Sequence, residues 1–335
     1  VKILAVSMVI WSAMTAVCGL ATNFWMLLMA RIGVGVGEAG ASPPSHSLIS
    51  DYFPIDKRAT ALSIYALGIP FGTMIGSYVG GWGADELGWR YTFFLVGIPG
   101  IFVALIIALT LREPPRGLSD VKPVLNTAQK AAAEAAPKPE APHVKEVLNF
   151  LWAKVSFRHL SFAAGLHAFV SYGASTWNAP FFTRIHSMSS TDLGAALALV
   201  AGVGAIGTFA GGYLSDKLSD RTGDKRWYFW VPGIATIIMV PFQLVAYLYD
   251  GTTAAIASLC MVAIMGNVYL GPSFAMTQAL VSLRMRAVAS AILLFVLNLI
   301  GMGLGPYFVG ILSDLFAPTF GVESLRYALC IAVLV

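Results

Sequence analysis

Nine apolar stretches of about twenty residues or more, and a shorter tenth at the end, leave this chain few ways to fold. They run over 3–22, 25–50, 60–82, 92–111, 159–183, 193–213, 228–249, 253–281, 288–312 and 323–335. A helix needs about 20 apolar residues to cross a hydrocarbon layer ~30 Å thick. Inside that layer every backbone polar group must find its partner within the protein, which a helix achieves unaided. Composition agrees: 57% of residues are hydrophobic and 11% charged, against roughly a quarter charged in a soluble domain. The expected fold class is an all-α membrane protein. Cys18, Cys260 and Cys330 are far apart, and the five histidines are scattered. Neither set suggests a disulfide frame or a metal site. No HExxH, GxSxG or Walker A motif is present, so no enzyme activity and no cofactor are expected. The basic residues form no stripe with interleaved aromatics, which argues against nucleic acid as a partner.

Charge placement orients the spans. Of the 21 Lys and Arg, Arg31 lies within a span and Arg90, Arg184 and Arg326 lie in loops on one side; the others lie in loops on the opposite side. Loops rich in Lys and Arg stay cytoplasmic, so the first run leads from inside to outside. Residues 113–143 are rich in Pro, Ala, Lys and Glu and have too little apolar surface to pack. Beyond them Val144, Val147, Leu148, Leu151, Trp152 and Val155 recur at helical spacing, predicting a short interfacial helix. The expected organisation is a first half over 1–112, a cytoplasmic linker over 113–157 and a second half over 158–335.

The two halves echo each other. "RATALSIYALGIPFGTMIGSYVGG" (58–81) resembles "RAVASAILLFVLNLIGMGLGPYFVG" (286–310), "WRYTFF" (89–94) parallels "LRYALC" (325–330), and "GEAGASPPS" (37–45) parallels "GNVYLGPS" (266–273). Such self-similarity marks transporters built from repeats. Four spans precede the linker and six follow it, so two further spans are expected before residue 1, and the chain reads as a fragment.

Six plus six spans around a cytoplasmic linker resemble the major facilitator superfamily, a fold of two six-helix halves. "GGYLSDKLSDRTGDKR" (211–226) resembles that family's G-x-x-x-D-R/K-x-G-R-R loop: Gly212, Asp216 and Lys217 match, and Arg221, Lys225 and Arg226 supply a stretched basic end. Within the superfamily the chain resembles the spinster-like branch. The carrying residues are "RIGVGVGEA" (31–39), "LISDYFP" with Arg58 following (48–58), and "WNAPFFTRIHSMS" leading into "GTFAGGYLSD" (177–216). By order, the visible spans would be that family's third to twelfth. The resemblance implies a multi-pass secondary transporter with alternating access, set in a bacterial inner membrane and monomeric. Animal members of the branch carry sphingosine phosphate and lysophospholipids, so the implied partners are a lipid-like or small-molecule solute, protons and the bilayer. Proton symport of a small sugar acid or aromatic acid is the alternative, and a non-transporting receptor with this fold is a third reading.

Arg31 and Glu38 are the charges that fall deep in a span. Seven residues apart, they share one helix face about 10 Å apart along the axis. A mid-bilayer charge costs roughly 2.5–3.5 kcal/mol on insertion scales, so such residues face a cavity, pair, or mark an ion path. Arg31 can instead snorkel to the outer headgroups, and Glu38 can make a structural hydrogen bond. The expectation is that Glu38 titrates for proton coupling, burial favouring its neutral form and Arg31 its charged form. The resemblance places the fourth, seventh and tenth spans along a central cavity. The seventh offers His167, Ser171, Tyr172, Trp177 and Asn178, and the tenth offers Asn267, Tyr269 and Gln278. For each neutral residue an interhelical hydrogen bond is the competing role; His167 is either a second titrating group or a packing residue. Gly68, Gly72, Gly76 and Gly80 form a small-residue stripe expected at a helix seam, with Gly204, Gly207 and Gly211 as a looser one. Ser77 stands where the family's antiporter motif has proline. Asp51 and Arg58, with Gly212, Asp216 and Lys217, are the expected cytoplasmic latches.

Overall fold

A computed structural model describes residues 1–41, 44–45, 48–49, 52–53, 65, 68–114, 143–282 and 285–334, without the side chains of 278, 286 and 287. Among these residues the structure is helical, with no strand. The helices are α1 (Lys2–Cys18), α2 (Phe24–Ala39), α3 (Gly68–Glu86), α4 (Trp89–Thr110), α5 (Val144–Trp152), α6 (Val155–Arg184) and α7 (Ser190–Thr222). They continue as α8 (Trp227–Leu248), α9 (Thr252–Gly266), α10 (Leu270–Ala279), α11 (Arg286–Val296), α12 (Gly305–Phe320) and α13 (Ser324–Val333). A π-helical segment, Leu297–Leu304, joins α11 to α12. Pro306 follows two residues after its end and has no N–H for the Met302 carbonyl, so the α ladder cannot continue there unchanged.

The chain divides into two compact units, Val1–Lys138 with Ser190–Gly194, and Pro139–Ser189 with Ala195–Val335. In the first unit α1 packs against α2 and α4, at glycines that let backbones approach. A Cβ at Gly97 would lie 2.8 Å from the Ser12 carbonyl and 2.7 Å from the Ala16 nitrogen, and one at Gly37 would lie 2.6 Å from the Trp11 nitrogen. In the second unit α6 packs on the π segment and α12, and α8 packs on α9 and α13. Gly301 and Gly305 permit the first of these contacts: a Cβ at Gly301 would meet Ala168 and Tyr172, and one at Gly305 would meet the Phe169 carbonyl.

The predicted interfacial helix is α5. Val147 and Leu151 bury one face on Phe157, Val281, Met285, Ala289 and Ile292, while Leu148 and Trp152 on other faces stay exposed. The linker residues 115–142 lie outside the described residues.

Three apolar runs fold differently from a plain span. The 25–50 run loses its helix at Gly40, and the 253–281 run is interrupted over Asn267–Tyr269. The 193–213 run continues as helix to Thr222, so the basic motif is mostly helical and only Gly223–Arg226 turn. Gly223 takes φ +68°, the left-handed region that glycine enters without a Cβ clash. Asp224 closes the turn by accepting from the Arg226 backbone N–H (2.8 Å) and pairing with its guanidinium (2.7 Å). That pairing holds the Asp224 carboxyl below its ordinary value.

The repeat is visible as chemistry. Arg90, at the start of α4, donates to the Ala21 carbonyl just beyond α1 (3.2 Å); Arg326, at the start of α13, donates to the Leu248 carbonyl ending α8 (3.2 Å). These are the paired arginines of "WRY" and "LRY". Arg326 also binds Asp250 (2.8 Å) and Glu323 (2.7 Å).

Candidate functional site

The stretch "RIGVGVGEAG" resolves into two opposite faces of α2. Gly33, Gly37 and Gly40 pack on Met14, Trp11 and Ser7 of α1. Arg31, Gly35 and Glu38 share the other face, and a Cβ at Gly35 would meet nothing within 4 Å. Three- and four-residue spacings keep each set aligned. Asn23 fixes the start of the helix, its side chain accepting from the Met26 N–H at 2.9 Å. Arg31 and Glu38 are both exposed, and among the described residues no ion pair joins either of them to a partner.

Glu38 sits in the last turn of α2, where the Gly40 and Ala41 N–H groups fold back on the Gly37 and Glu38 carbonyls (3.2 and 3.1 Å). The aligned pair in the other half, Gly266–Asn267, is also where a helix stops: α9 ends at Gly266. Both repeats therefore break one span within three residues of the aligned pair. Interrupted helices free backbone groups and are tolerated at membrane depth where protein or a water-filled cavity satisfies them.

In the second half the break is tied to its neighbours. The Asn267 side chain donates to the Gly204 carbonyl of α7 at 3.2 Å. His167 of α6 is buried, with Nε2 2.9 Å from the Gly266 carbonyl and Nδ1 3.1 Å from the Thr236 hydroxyl of α8. The Tyr269 ring lies against the imidazole, centroids 4.1 Å apart. Eleven residues along α6, Asn178 accepts from the fully buried Tyr247 hydroxyl at 3.0 Å. His167 and Asn178 thus both bond to α8. Trp177 donates from its indole to the Pro306 carbonyl (2.8 Å), and Tyr172 packs against the buried cluster of Ala164, Ala168, Leu293 and Leu297. Ser171 is half-buried. Gln278 belongs to α10, and its side chain lies outside the described residues.

A cavity of about 450 Å³ opens beside His167. His159, Tyr228, Thr236, Tyr269 and Ser273 line it with apolar side chains, and Val333 borders it. His167 and Tyr269 border this space; Ser171, Tyr172, Trp177, Asn178 and Asn267 do not.

At the basic motif of residues 211–226, Asp216 accepts from the Tyr228 hydroxyl at 2.6 Å, while Lys217 bonds the Tyr213 hydroxyl at 3.0 Å and lies over its ring. A Cβ at Gly212 would meet nothing within 4 Å. Asp51 and Arg58 lie outside the described residues.

The glycine stripes divide. A Cβ at Gly68, Gly72, Gly76 or Gly80 would meet nothing within 4 Å among the described residues; α3 makes its close approaches at Gly81, against Ser190 and Gly194, and at Gly83, against Thr92. On α7, by contrast, Gly204 faces Asn267, Gly207 faces the Ile264 carbonyl and Gly211 faces the Val268 carbonyl. These three let α7 lie against the broken span. Next to Gly81, Asp85 accepts from the Thr191 N–H at 2.6 Å, which holds its carboxyl below the ordinary value. The paired arginines and the Tyr247–Asn178 bond carry no motif of their own; the "WRY"/"LRY" echo was the signal for the former.

Known proteins agree with this architecture. The family model of the Major Facilitator Superfamily matches residues 1–306. An MFS-type efflux pump of Mycolicibacterium smegmatis is 30% identical over 99% of this chain and 73% of its own length. A probable sphingolipid transporter, spinster homolog 1 of Arabidopsis thaliana, is 27% identical over 76% of this chain and 54% of its own. The crystal structure of a bacterial homolog of the human lysosomal transporter Spinster, inward-facing and unoccupied, superposes with a TM-score of 0.86 at 34% identity, covering 99% of this chain and 80% of that one. With its interrupted paired spans and its apolar helices, this chain belongs to the major facilitator superfamily, as a multi-pass membrane transporter of the spinster-like type.

Proposed function

We propose that the chain is a proton-coupled secondary transporter of an amphipathic or organic anionic solute of lysolipid or sphingolipid type, acting as a monomer in a bacterial inner membrane. One observation carries this reading: each repeat breaks a span within three residues of the aligned pairs Gly37–Glu38 and Gly266–Asn267, and only the first pair contains a carboxylate, with Arg31 on the same face of α2. A carboxylate beside a helix break within a span is a group that can exchange a proton. Alternating access then couples that titration to solute movement. Asp216 and Lys217 sit at the cytoplasmic end of α7 as latch residues, Asp216 already joined to Tyr228. The sphingolipid transporter relative favours a lipid-like solute.

Reconstitution into proteoliposomes tests the proposal. Uptake of a fluorescent lysophospholipid should follow an imposed pH gradient and collapse with a protonophore. Gradient-driven uptake of a sugar acid without lysophospholipid movement would replace the lipid reading, and no flux of either would remove the transporter assignment of this chain.

A further inference from the structure

The hydrogen bonds around His167 close for either of two protonation states. The Gly266 carbonyl can only accept, so Nε2 must carry a proton. The Thr236 hydroxyl lies 3.1 Å from Nδ1 and also 2.9 Å from the Pro232 carbonyl, four residues back in α8. It has one proton to give. If that proton goes to Nδ1, the imidazole is neutral and the Pro232 contact is not a hydrogen bond. If it goes to the Pro232 carbonyl, Nδ1 must donate to the hydroxyl oxygen, and His167 is an imidazolium with both nitrogens satisfied.

From this geometry we infer that His167 is a proton-binding site of the second half, with the Thr236 hydroxyl as the group that reads its charge. On uptake of a proton at Nδ1, the Thr236 O–H turns from Nδ1 to the Pro232 carbonyl, and a neutral hydrogen bond becomes a charge-assisted one. No heavy atom needs to move. The site clamps three elements at once: α6 through the imidazole, α8 through Thr236, and the break after α9 through the Gly266 carbonyl. α8 carries two prolines inside its helix near this point, Pro232 and Pro241, each without an N–H for the ladder. Protonation therefore tightens the clamp on the broken span, the half of the repeat that has Asn267 where the other has Glu38.

The bordering cavity brings His159 from α6, Tyr228 from α8 and Tyr269 from the break, and no carboxylate or cation is among its described lining residues. Asp216 stands one step away, bonded to Tyr228. The inference extends the proton-coupled reading but rests on the Thr236 geometry, so its test is spectroscopic.

The test is nitrogen NMR of the full chain with ¹⁵N-histidine, in nanodiscs, with His167→Gln assigning the signal. At high pH His167 should be the neutral tautomer with its proton on Nε2, and on acidification it should become the doubly protonated form. Thr236→Val removes the acceptor that the cation needs. Charge-assisted bonds exceed neutral ones by about 1 kcal/mol, so the midpoint should fall by about half to one pH unit. Thr236→Ser keeps the hydroxyl and should restore it. A His167 that stays neutral to pH 4, a neutral form protonated at Nδ1, or a midpoint indifferent to Thr236→Val would each overturn the inference. A titrating His167 in a protein whose flux ignores the pH gradient would instead overturn the proton-coupled transport reading alone.

Discussion

Substituting Gly207 by alanine should loosen the second half by an amount the seam geometry sets. The added Cβ would lie 2.7 Å from the Ile264 carbonyl carbon and 3.0 Å from its Cα, and closer still to the carbonyl oxygen. Ordinary carbon contacts need about 3.5–4.0 Å, and every atom met is backbone, so no rotamer change relieves the clash. α7 must retreat from α9 by about 1 Å. That also stretches the Asn267–Gly204 hydrogen bond, already at 3.2 Å, and opens the approach at Gly211. Overpacking of this kind costs about 1–3 kcal/mol. Gly212→Ala on the same helix is the control. Its Cβ meets nothing within 4 Å, and alanine gains about 0.5–1 kcal/mol over glycine in a helix interior. Thermal unfolding in detergent should place Gly207→Ala several degrees below the parent and Gly212→Ala at or above it. Equal melting of the two variants would refute the claim that α7 rests backbone to backbone on the broken span.

Arg326→Gln should lower stability by about 1–2 kcal/mol, because hydrogen bonds to charged groups contribute about 1.5–3 kcal/mol and Asp250 and Glu323 are open to solvent, which weakens them. Denaturation of the parent and variant in the same detergent measures it. For Asp85, the Thr191 N–H lowers the folded-state carboxyl below its unfolded value of about 3.9. Its contribution is therefore present above that value and lost as pH falls through the folded one. The melting gap between parent and Asp85→Asn should exist at pH 7 and close below about pH 4. Tyr247→Phe leaves the Asn178 carbonyl oxygen without its donor, and should cost about 0.6–1 kcal/mol with transport retained. A melting curve and a flux assay on one preparation check both parts.

How much was legible beforehand depends on the kind of information each feature carries. Helical class and the repeat follow from hydropathy and residue identity, which the sequence displays directly. The α7 glycines faced a neighbour as their spacing suggested, because a three- or four-residue period fixes a face whatever lies opposite. Spacing alone cannot say what lies opposite: among the described residues a Cβ on the Gly68–Gly80 stripe of α3 meets nothing within 4 Å, while Gly81 approaches Ser190 and Gly194. The cavity residues of α6 were grouped by polarity and period, yet His167 and Asn178 bond to α8. A polar side chain in a span must find a partner, and which helix supplies it is a matter of tertiary packing. The breaks at Gly40 and Gly266 were present in the aligned "GEAGASPPS" and "GNVYLGPS", with the glycines and prolines that interrupt a ladder.

Uptake of a lysophospholipid into proteoliposomes, measured against an imposed pH gradient for the parent and Glu38→Gln, tests the central claim most directly. The account predicts gradient-driven uptake in the parent. In Glu38→Gln it predicts downhill exchange that no longer responds to the gradient. A Glu38→Gln protein whose uptake keeps the parent's pH dependence would contradict it.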